Sequence, residues 1–157
     1  MLAENRKRFI CVATDVEGDF RTVFAGFDER LFRQLNPPFP PVNVQRFDGV
    51  EVDDEVHLEL NFLFFRQTWI SRITESESSD DEIYFTDEGT HLPFFLSYWR
   101  HRHRVVARIG GASVIDEITF ASPNWLLDLV LLPALYLQFL YRKPLYKRFF
   151  RSLRPAH

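Results

Sequence analysis

The sequence predicts an α+β fold in which a curved antiparallel β-sheet wraps around a long C-terminal α-helix. Apolar and polar residues alternate with a period of two in the middle of the chain, as in half-buried antiparallel strands. A helical pattern precedes these strands, and an apolar run from Trp125 to Tyr141 follows them. These three observations give the predicted order of strand, helix, a run of strands and a long final helix.

The first two elements lie before a group of prolines. The segment RFICVATDV is rich in β-branched and aromatic residues and is predicted to be a strand. FDERLFRQLN places Phe27, Leu31 and Leu35 at helical spacing, and this helix is expected to stop at Pro37-Pro38. Because proline fixes φ and lacks an amide donor, PPFPPVN is expected to form no regular structure.

Five antiparallel strands are expected next, connected as a meander. They are EVHLELNFLFF, QTWISRITES, DEIYFTDE, SYWRHRHRVVARI and ASVIDEITFAS, with Gly110 and Gly111 as a two-residue turn between the last two. The first of them alternates strictly, and its apolar face is predicted to consist of Val56, Leu58, Leu60, Phe62 and Phe64.

The C-terminal helix is expected to begin at a Ser122 cap, with Pro123 at its first position. The apolar run that follows is 17 residues long and contains Asp128 and Pro133, whereas a bilayer needs ~20 apolar residues. We therefore predict no transmembrane span, and a helix of about 25 residues laid across the sheet. Pro133 cannot donate to the carbonyl of Leu129, so a kink is expected there.

Composition limits the class of protein. With 157 residues, of which 46% are hydrophobic and 26% charged, the chain is expected to form one globular domain over residues 1–157. A lone cysteine, Cys11, excludes an intrachain disulfide framework, and the first residues lack the apolar core of a signal peptide, so a cytoplasmic protein is expected. The net charge of −3 gives no case for nucleic-acid binding.

Charge is unevenly distributed along the chain. Residues 75–88 include seven acidic and no basic residues and are expected to be a solvated hairpin connection. Residues 142–154 include six basic and no acidic residues. This basic end of the last helix is expected to be solvated, with contact to a membrane surface or an anionic partner as the alternative.

Several motifs resemble the SRPBCC superfamily by their order and spacing. They are FDERLFRQLNPPFPPVNVQRFDG, the W-x-S-x-I that starts at Trp69, the F-x-D of Phe85 and Asp87, the W-x-H-x-H that starts at Trp99, and ASVIDEITF before an apolar helix ending in FLYRKPLYKRFF. The resemblance covers residues from about 9 to 150. It departs from the family at GTHLPFF, where related sequences carry a glycine-proline-phenylalanine turn.

This superfamily includes START-like lipid binders, birch-pollen-allergen-type proteins and polyketide cyclase/dehydrase-like proteins. The resemblance implies the helix-grip fold, with a hydrophobic ligand cavity between the sheet and the long helix. It implies no single reaction, because one fold can carry many functions.

The segment SYWRHRHRVV places two histidines on one side of a strand. Trp99, His101, His103 and Val105 are expected to face one way and the arginines between them the other. Arginines are seldom buried without partners, so we expect the histidines on the concave side of the sheet and the arginines in solvent, paired with the acidic hairpin.

A turn at Gly110-Gly111 would place His103 opposite Ile118, and Asp116 diagonal to His103 within reach of a hydrogen bond. His103 and Asp116 would then form either a satisfied structural pair or part of a functional site. Both interpretations of these two residues remain open at this point, as they do for His101.

The sequence predicts no metal ion, cofactor or catalytic residue. A strand H-x-H presents two imidazoles, but the candidates for a third ligand, His91, Asp87 and Asp116, are scattered without a supporting spacing. Neither Cys11 nor any serine lies in an elbow-type motif, and the sequence has no glycine-rich phosphate loop.

Two functions from different classes are therefore considered. The preferred one is a non-catalytic binder of a small hydrophobic molecule, such as a lipid or an aromatic, polyketide-like compound. The alternative is a cyclase/dehydrase-like enzyme in which a His or Asp acts as acid or base. A third is a homodimeric interaction module that pairs through the exposed side of the apolar helix. The predicted ligand-binding residues are Phe62, Trp69, Phe85, Trp99, His101, His103 and Asp116.

Overall fold

The computed structural model describes residues 6–154. Its elements in chain order are β1 (Arg8–Val16), α1 (Phe20–Ala25), α2 (Glu29–Gln34), β2 (Val42–Phe47), β3 (Glu55–Phe62), β4 (Phe65–Ser78), β5 (Glu82–His91), β6 (Tyr98–Arg108), β7 (Gly111–Ala121) and α3 (Trp125–Ser152). The strands form an antiparallel sheet in the order β1-β7-β6-β5-β4-β3-β2, which curves around α3. The predicted α+β class and the sheet-and-helix arrangement are confirmed.

The first helical region differs from its prediction. The helix expected over residues 27–36 is shorter, because the Asp28 side chain accepts a hydrogen bond from the Leu31 amide (3.1 Å) and starts α2 at Glu29. A second short helix, α1, precedes it and is capped in the same way by Asp19. The sequence pattern does not predict α1.

The expectation of irregular backbone through PPFPPVN is wrong at the end of this segment. Val42 and Asn43 begin strand β2 and pair with Leu60 and Glu59 of β3. The prolines stop at residue 41, so from Val42 onward every residue again has an amide that can donate to a neighbouring strand. β2 forms an edge of the sheet.

Strand β3 ends at Phe62, before the end that its alternation predicts. Leu63 and Phe64 form the turn to β4, and Phe62 pairs with Phe65 across the turn. The side chains of Leu63 and Phe64 are 84% and 94% exposed. Phe64 is therefore not part of the apolar face that the strand turns toward the core.

Strands β6 and β7 pair two residues away from the predicted register. The turn consists of Ile109 and Gly110, so His103 lies opposite Asp116 rather than Ile118. Because side chains alternate with a period of two, a shift of two residues leaves each of them on its predicted face. The predicted faces are correct, and the predicted cross-strand partners are wrong.

Buried residues form two clusters between the sheet and the helices. The first lies against α1, α2 and the C-terminal half of α3, and includes Leu31, Phe85 and Tyr146. The second lies under the first half of α3 and includes Trp99 and Phe139. The concave side of β6 contributes to both clusters, which positions its histidines between them.

The start of helix α3 is fixed to the end of β7. The N-cap is Asn124, whose side chain accepts a hydrogen bond from the Leu127 amide (3.0 Å), so the predicted Ser122 cap is wrong. The Ser122 hydroxyl and amide instead donate to the buried carboxylate of Asp128, at 2.7 and 2.9 Å.

Helix α3 spans 28 residues and contains Pro133 and Pro144. Neither proline has an amide proton, so the carbonyls of Leu129 and Leu140 lack their helical donors. By length and composition α3 could cross a bilayer, and only 17% of its most apolar 18-residue stretch is buried. It nevertheless packs along the sheet, beside β1.

Candidate functional site

The candidate site lies on three neighbouring strands, β5, β6 and β7. In one row across the sheet, Phe85, His103 and Asp116 are paired; in the next, Asp87, His101 and Ile118 are paired. All six side chains point to the concave side, because they occupy alternate positions of their strands. Two acidic and two imidazole side chains therefore meet at the middle of an otherwise apolar surface.

The hydrogen bonds between these groups run diagonally from one row to the next. His101 Nε2 donates to Asp116 Oδ1 at 2.8 Å, and His103 Nε2 donates to Asp87 Oδ2 at 2.8 Å. The imidazole rings lie 3.5 Å apart between centroids. We refer to Asp87, His101, His103 and Asp116 as the His–Asp cluster.

The cluster is enclosed by the side chains around it. The residue exposures of His101, His103 and Asp116 are 3%, 2% and 1%. The indole Nε1 of Trp99 donates to Asp87 Oδ1 and the Tyr146 hydroxyl donates to Asp116 Oδ1, each at 3.3 Å. The aromatic side chains that contact the imidazoles include Phe27, Phe32, Phe85, Trp99 and Phe139.

One polar atom of the cluster is left without a partner. Among the described residues, Nδ1 of His103 is buried and makes no hydrogen bond. The nearest carboxylate oxygen of Asp116 lies 3.8 Å away, beyond hydrogen-bonding distance. Because unpartnered buried polar atoms are rare in native proteins, this atom marks a place where a further polar group would be stabilised.

Burial and hydrogen bonding set the charge of the cluster. Burial is the largest single influence and would raise the pKa of Asp87 and Asp116. The hydrogen bonds from His103 and His101, together with attraction to nearby cationic side chains, outweigh it, and both pKa values are lowered. Burial, and after it electrostatic interaction with the adjacent His103, lowers the pKa of His101 to about 4. Near neutral pH both carboxylates are therefore ionised and His101 is uncharged.

Three side chains of the cluster also have the spacing of metal ligands. One ligand atom each from Asp87, His101 and His103 lies within 4.8 Å of the other two. The expectation that candidates for a third ligand are scattered is therefore wrong for Asp87, which pairing between β5 and β6 places beside both histidines. The two 2.8 Å His–Asp hydrogen bonds satisfy these carboxylates without an ion.

Six of the seven predicted ligand-binding residues lie together on this surface. Trp69 extends it from β4, with its ring centroid 4.6 Å from that of Trp99. Phe62 lies apart, at the end of β3, where it packs against Phe39, Phe65 and Phe95. The structure does not bring Phe62 to the His–Asp cluster.

The predicted pair of His103 and Asp116 has different partners in the structure. Asp116 accepts from His101, and His103 donates to Asp87, which sequence reasoning considered only as a metal ligand. Tyr146 and Phe139 were missed, since α3 is apolar on most sides and its pattern does not show which side chains face the sheet. A buried aspartate that needs a second donor is the one signal that could have pointed to Tyr146.

The arginines of β6 lie on the other face of the sheet, as predicted. Arg100 and Arg102 pair with Glu75 at 3.0 and 2.9 Å, and Arg104 pairs with Glu82 and Glu117 at 2.5 and 2.9 Å. These ion pairs are partly exposed, and they leave the concave face to the histidines.

Two surface cavities, of about 390 and 240 Å³, lie away from the His–Asp cluster, at the end of the sheet that carries the β6–β7 turn. Both are lined by Arg108 and Gly110 beside the β6–β7 turn, and neither is lined by any of the seven predicted ligand-binding residues. The surface around the His–Asp cluster is instead covered by the packing of α1, α2 and α3.

No protein-family model and no curated protein sequence matches this chain. Solved structures share its fold. The di-domain ARO/CYC StfQ of the steffimycin biosynthetic pathway is 14% identical, with a TM-score of 0.69 over 96% of this chain and 53% of its own. The Zhui aromatase/cyclase from Streptomyces sp. R1128 is 14% identical, with a TM-score of 0.55 over 76% of this chain and 70% of its own.

A plant enzyme has the same architecture. Norcoclaurine synthase from Thalictrum flavum, in complex with dopamine and hydroxybenzaldehyde, is 8% identical, with a TM-score of 0.65 over 96% of this chain and 90% of its own. Identities this low establish the fold alone. That fold is the helix-grip fold that the sequence motifs predict, a curved antiparallel sheet around a long C-terminal helix.

Proposed function

We propose that this protein binds a small, mostly hydrophobic molecule between the concave face of the sheet and the first half of α3. The observation that carries the proposal is the buried His–Asp cluster, with one unpartnered nitrogen, in the middle of an aromatic surface. Small-molecule sites typically combine an apolar lining with a few polar groups that orient the ligand.

Partly buried apolar residues supply the lining of the proposed site. They lie between the fully buried core under α3 and the solvent, so a ligand can contact them without unfolding the core. The side chains of this kind that pack against the second cluster are Trp69, Leu92, Phe95, Leu131 and Leu140.

The unpartnered Nδ1 of His103 supplies the polar contact. In the neutral tautomer whose Nε2 donates to Asp87, Nδ1 carries a lone pair that can accept a hydrogen bond from a ligand hydroxyl or phenol. The ligand is therefore an apolar or aromatic molecule with at least one such group. The fold neighbours fit this class, because one of them is described with dopamine and hydroxybenzaldehyde.

A tryptophan at Leu131 is expected to block the site. Native mass spectrometry of protein from its own host should show a bound small molecule that is lost on denaturation. Leu131→Trp adds a large ring under α3 and should lower the bound fraction at least about tenfold. The matched control is Leu132→Trp, because Leu132 is the adjacent residue and is 36% exposed.

Two results would count against the proposal. One is equal binding by the Leu131 and Leu132 variants, provided that both melt near the wild-type temperature. The other is a wild-type protein that carries no small molecule, even after incubation with a lipid extract of its host.

Proton transfer is the second candidate function, and the same unpartnered nitrogen favours it. A general base needs a free lone pair within reach of a substrate proton, and the unpartnered Nδ1 of His103 supplies one in the neutral tautomer whose Nε2 donates to Asp87. The aromatase/cyclase among the fold neighbours makes a cyclase-like reaction a reasonable proposal. Incubating the extracted molecule with fresh protein distinguishes the two, since a binder returns it unchanged and an enzyme changes its mass.

The remaining expectations from the sequence belong to the same proposal. The chain acts as a single ligand-binding domain in the cytoplasm, without nucleic acid or cofactor. The basic end of α3 is partly engaged within the chain, because Arg151 and Arg154 pair with Glu17 and Lys143 Nζ donates to the Ala13 carbonyl. A homodimer that pairs through α3 is a separate expectation, and light scattering of the protein in solution measures it.

A further inference from the structure

One end of the molecule presents a group of exposed, large apolar side chains. We call this group the apolar rim. The exposed fractions of its residues run from 46% for Phe65 to 94% for Phe64. The rim consists of Leu63, Phe64 and Phe65 at the β3–β4 turn, Phe94 in the β5–β6 loop, and Trp125, Leu126, Leu129 and Val130 at the start of α3.

Strand pairing places these three segments at the same end of the sheet. Phe62 pairs with Phe65 at the β3–β4 turn, and Tyr98 pairs with Ala121 where β6 begins and β7 ends. The β3–β4 turn, the β5–β6 loop and the β7–α3 connection therefore all lie at this edge. Helix α3 starts there and carries further exposed apolar residues along its outer side, such as Leu137 (64%).

The fold itself does not account for the rim. Turn residues of soluble proteins are usually polar, and a contiguous exposed apolar surface marks a place of interaction. Leu63 and Phe64 project from a two-residue turn, where they contribute nothing to the core.

Basic residues flank the rim. Lys7 and Arg8 lie where β1 begins. Lys7 Nζ is 4.0 Å from the centre of the Tyr98 ring, and Arg8 Nε lies 4.0 Å from the buried carboxylate of Asp128. Arg66 adjoins the β3–β4 turn with its side chain 68% exposed, paired at 3.4 Å with Glu59. Asp128, the acid in the first turn of α3, is buried.

The acidic turns are at the other end of the sheet. The β2–β3 connection carries Asp48, Glu51, Asp53 and Asp54, and the β4–β5 connection carries Asp80 and Asp81. Basic residues from the end of α3 also lie at this end, where Lys147 and Arg151 line a cavity with Asp15 and Glu17. The two ends therefore differ in apolar exposure: the rim carries exposed aromatic and leucine side chains, and the other end carries charged groups of both signs.

We propose that the apolar rim docks on an anionic lipid bilayer, with the outer side of the first half of α3 lying in the interface. Exposed aromatic and leucine side chains beside basic residues are the combination that binds such a surface. The helix lies on the bilayer rather than crossing it, because Asp128 holds its start to Ser122 and Phe139 holds its middle to the sheet.

Charge argues against a second copy of the chain as the occupant. A symmetric pairing through the rim would bring Lys7 and the exposed Arg66 of one copy toward the same residues of the other. Like charges in contact are destabilising, whereas anionic lipid headgroups attract them. The proposal does not depend on the ligand proposed above.

Vesicle flotation tests the proposal with defined lipids. The full chain is mixed with vesicles of phosphatidylcholine alone or of phosphatidylcholine with phosphatidylserine. We expect binding to the mixed vesicles, at least about tenfold weaker binding to phosphatidylcholine alone, and weakening as salt is raised. Trp125 reports insertion, because it is 57% exposed and its emission should shift to the blue on mixed vesicles; the shift should be lost in Trp125→Phe.

Two variants locate the contact. Replacing both Leu63 and Phe64 with serine should weaken binding to mixed vesicles at least about tenfold, since both apolar anchors are removed. The matched control is Ile109→Ser, because Ile109 is 100% exposed in the β6–β7 turn at the other end and should not change binding.

The proposal is overturned if wild-type protein floats with neither vesicle type, or if Ile109→Ser weakens binding as much as the double variant. Light scattering addresses the homodimer. A wild-type dimer that becomes monomeric in the double variant, with no vesicle binding by either, would assign the rim to contact between copies instead.

Discussion

Replacing Asp116 with alanine is expected to lower the free energy of unfolding by about 3–5 kcal/mol, because it removes one partner of a buried charged hydrogen-bond network. The His101 Nε2–H and the Tyr146 hydroxyl both lose their acceptor, and neither can reach water without disrupting the core. Urea unfolding followed by circular dichroism measures the change.

Two controls make this result specific to the buried network. Asp116→Asn retains an acceptor oxygen at the same place and should cost clearly less than alanine. Glu117→Ala changes the next residue of the same strand, whose side chain is 24% exposed and pairs with Arg104, and should cost at most about 1 kcal/mol. If the Asp116 and Glu117 alanine variants lose the same stability, the network does not hold the fold together.

Acid is expected to destabilise the protein by about 3 kcal/mol as the pH falls from 6.5 to about 4, because of His101 alone. Burial lowers the pKa of His101 in the folded protein to about 4 from an ordinary value of 6.5. Between these values the unfolded chain binds a proton that the folded protein does not, so stability is fully present above pH 6.5. The lowered pKa values of Asp87 and Asp116 act further down, below their ordinary 3.8.

His101→Gln isolates this contribution. Glutamine keeps an N–H donor for Asp116 but does not titrate, while the other four histidines remain in both proteins. Urea unfolding at several pH values should therefore give a shallower loss of stability in the variant between pH 6.5 and 4. An unchanged slope would mean that His101 does not control the acid sensitivity.

The face of each strand was predictable from the sequence, and the register was not. The alternation in SYWRHRHRVV places both histidines on the concave side for any even shift of register. The predicted register of β6 and β7 is wrong because it places Gly111 in the turn. Gly111 lies in β7, and glycine is needed there because a Cβ would come within 2.4 Å of the Val16 carbonyl oxygen. Gly110, with a φ of 81°, is the glycine that the turn requires.

The hydrogen-bond partners within the site depend on the register of β6 and β7 and on the loop between β5 and β6. Asp87 reaches His103 because of the pairing between β5 and β6. That pairing depends on the length of the β5–β6 connection, which a local sequence pattern does not predict. Tyr146 comes from α3, at a distance of 30 residues from Asp116 along the chain. Contacts of this kind depend on tertiary packing, which a local pattern does not encode.

Short elements were missed for a different reason. Helix α1 and strand β2 have six residues each, too few for either period to stand out. Strand β2 pairs with β3, a partner that its own six residues do not reveal.

The attachment of α3 at both of its ends has a mechanical consequence. Ser122 and Asp128 hold the start of the helix, and the aromatic side chains of Phe149 and Phe150 hold its end in the first core cluster. The carbonyls of Leu129 and Leu140, between these attachments, already lack amide donors. The stretch between Asp128 and Phe139, which contains Pro133, can therefore bow outward like a beam held at both ends, widening the space beneath it while sacrificing few further backbone hydrogen bonds. The height of that bow, rather than the swing of a free end, would set the thickness of the molecule that fits beneath it.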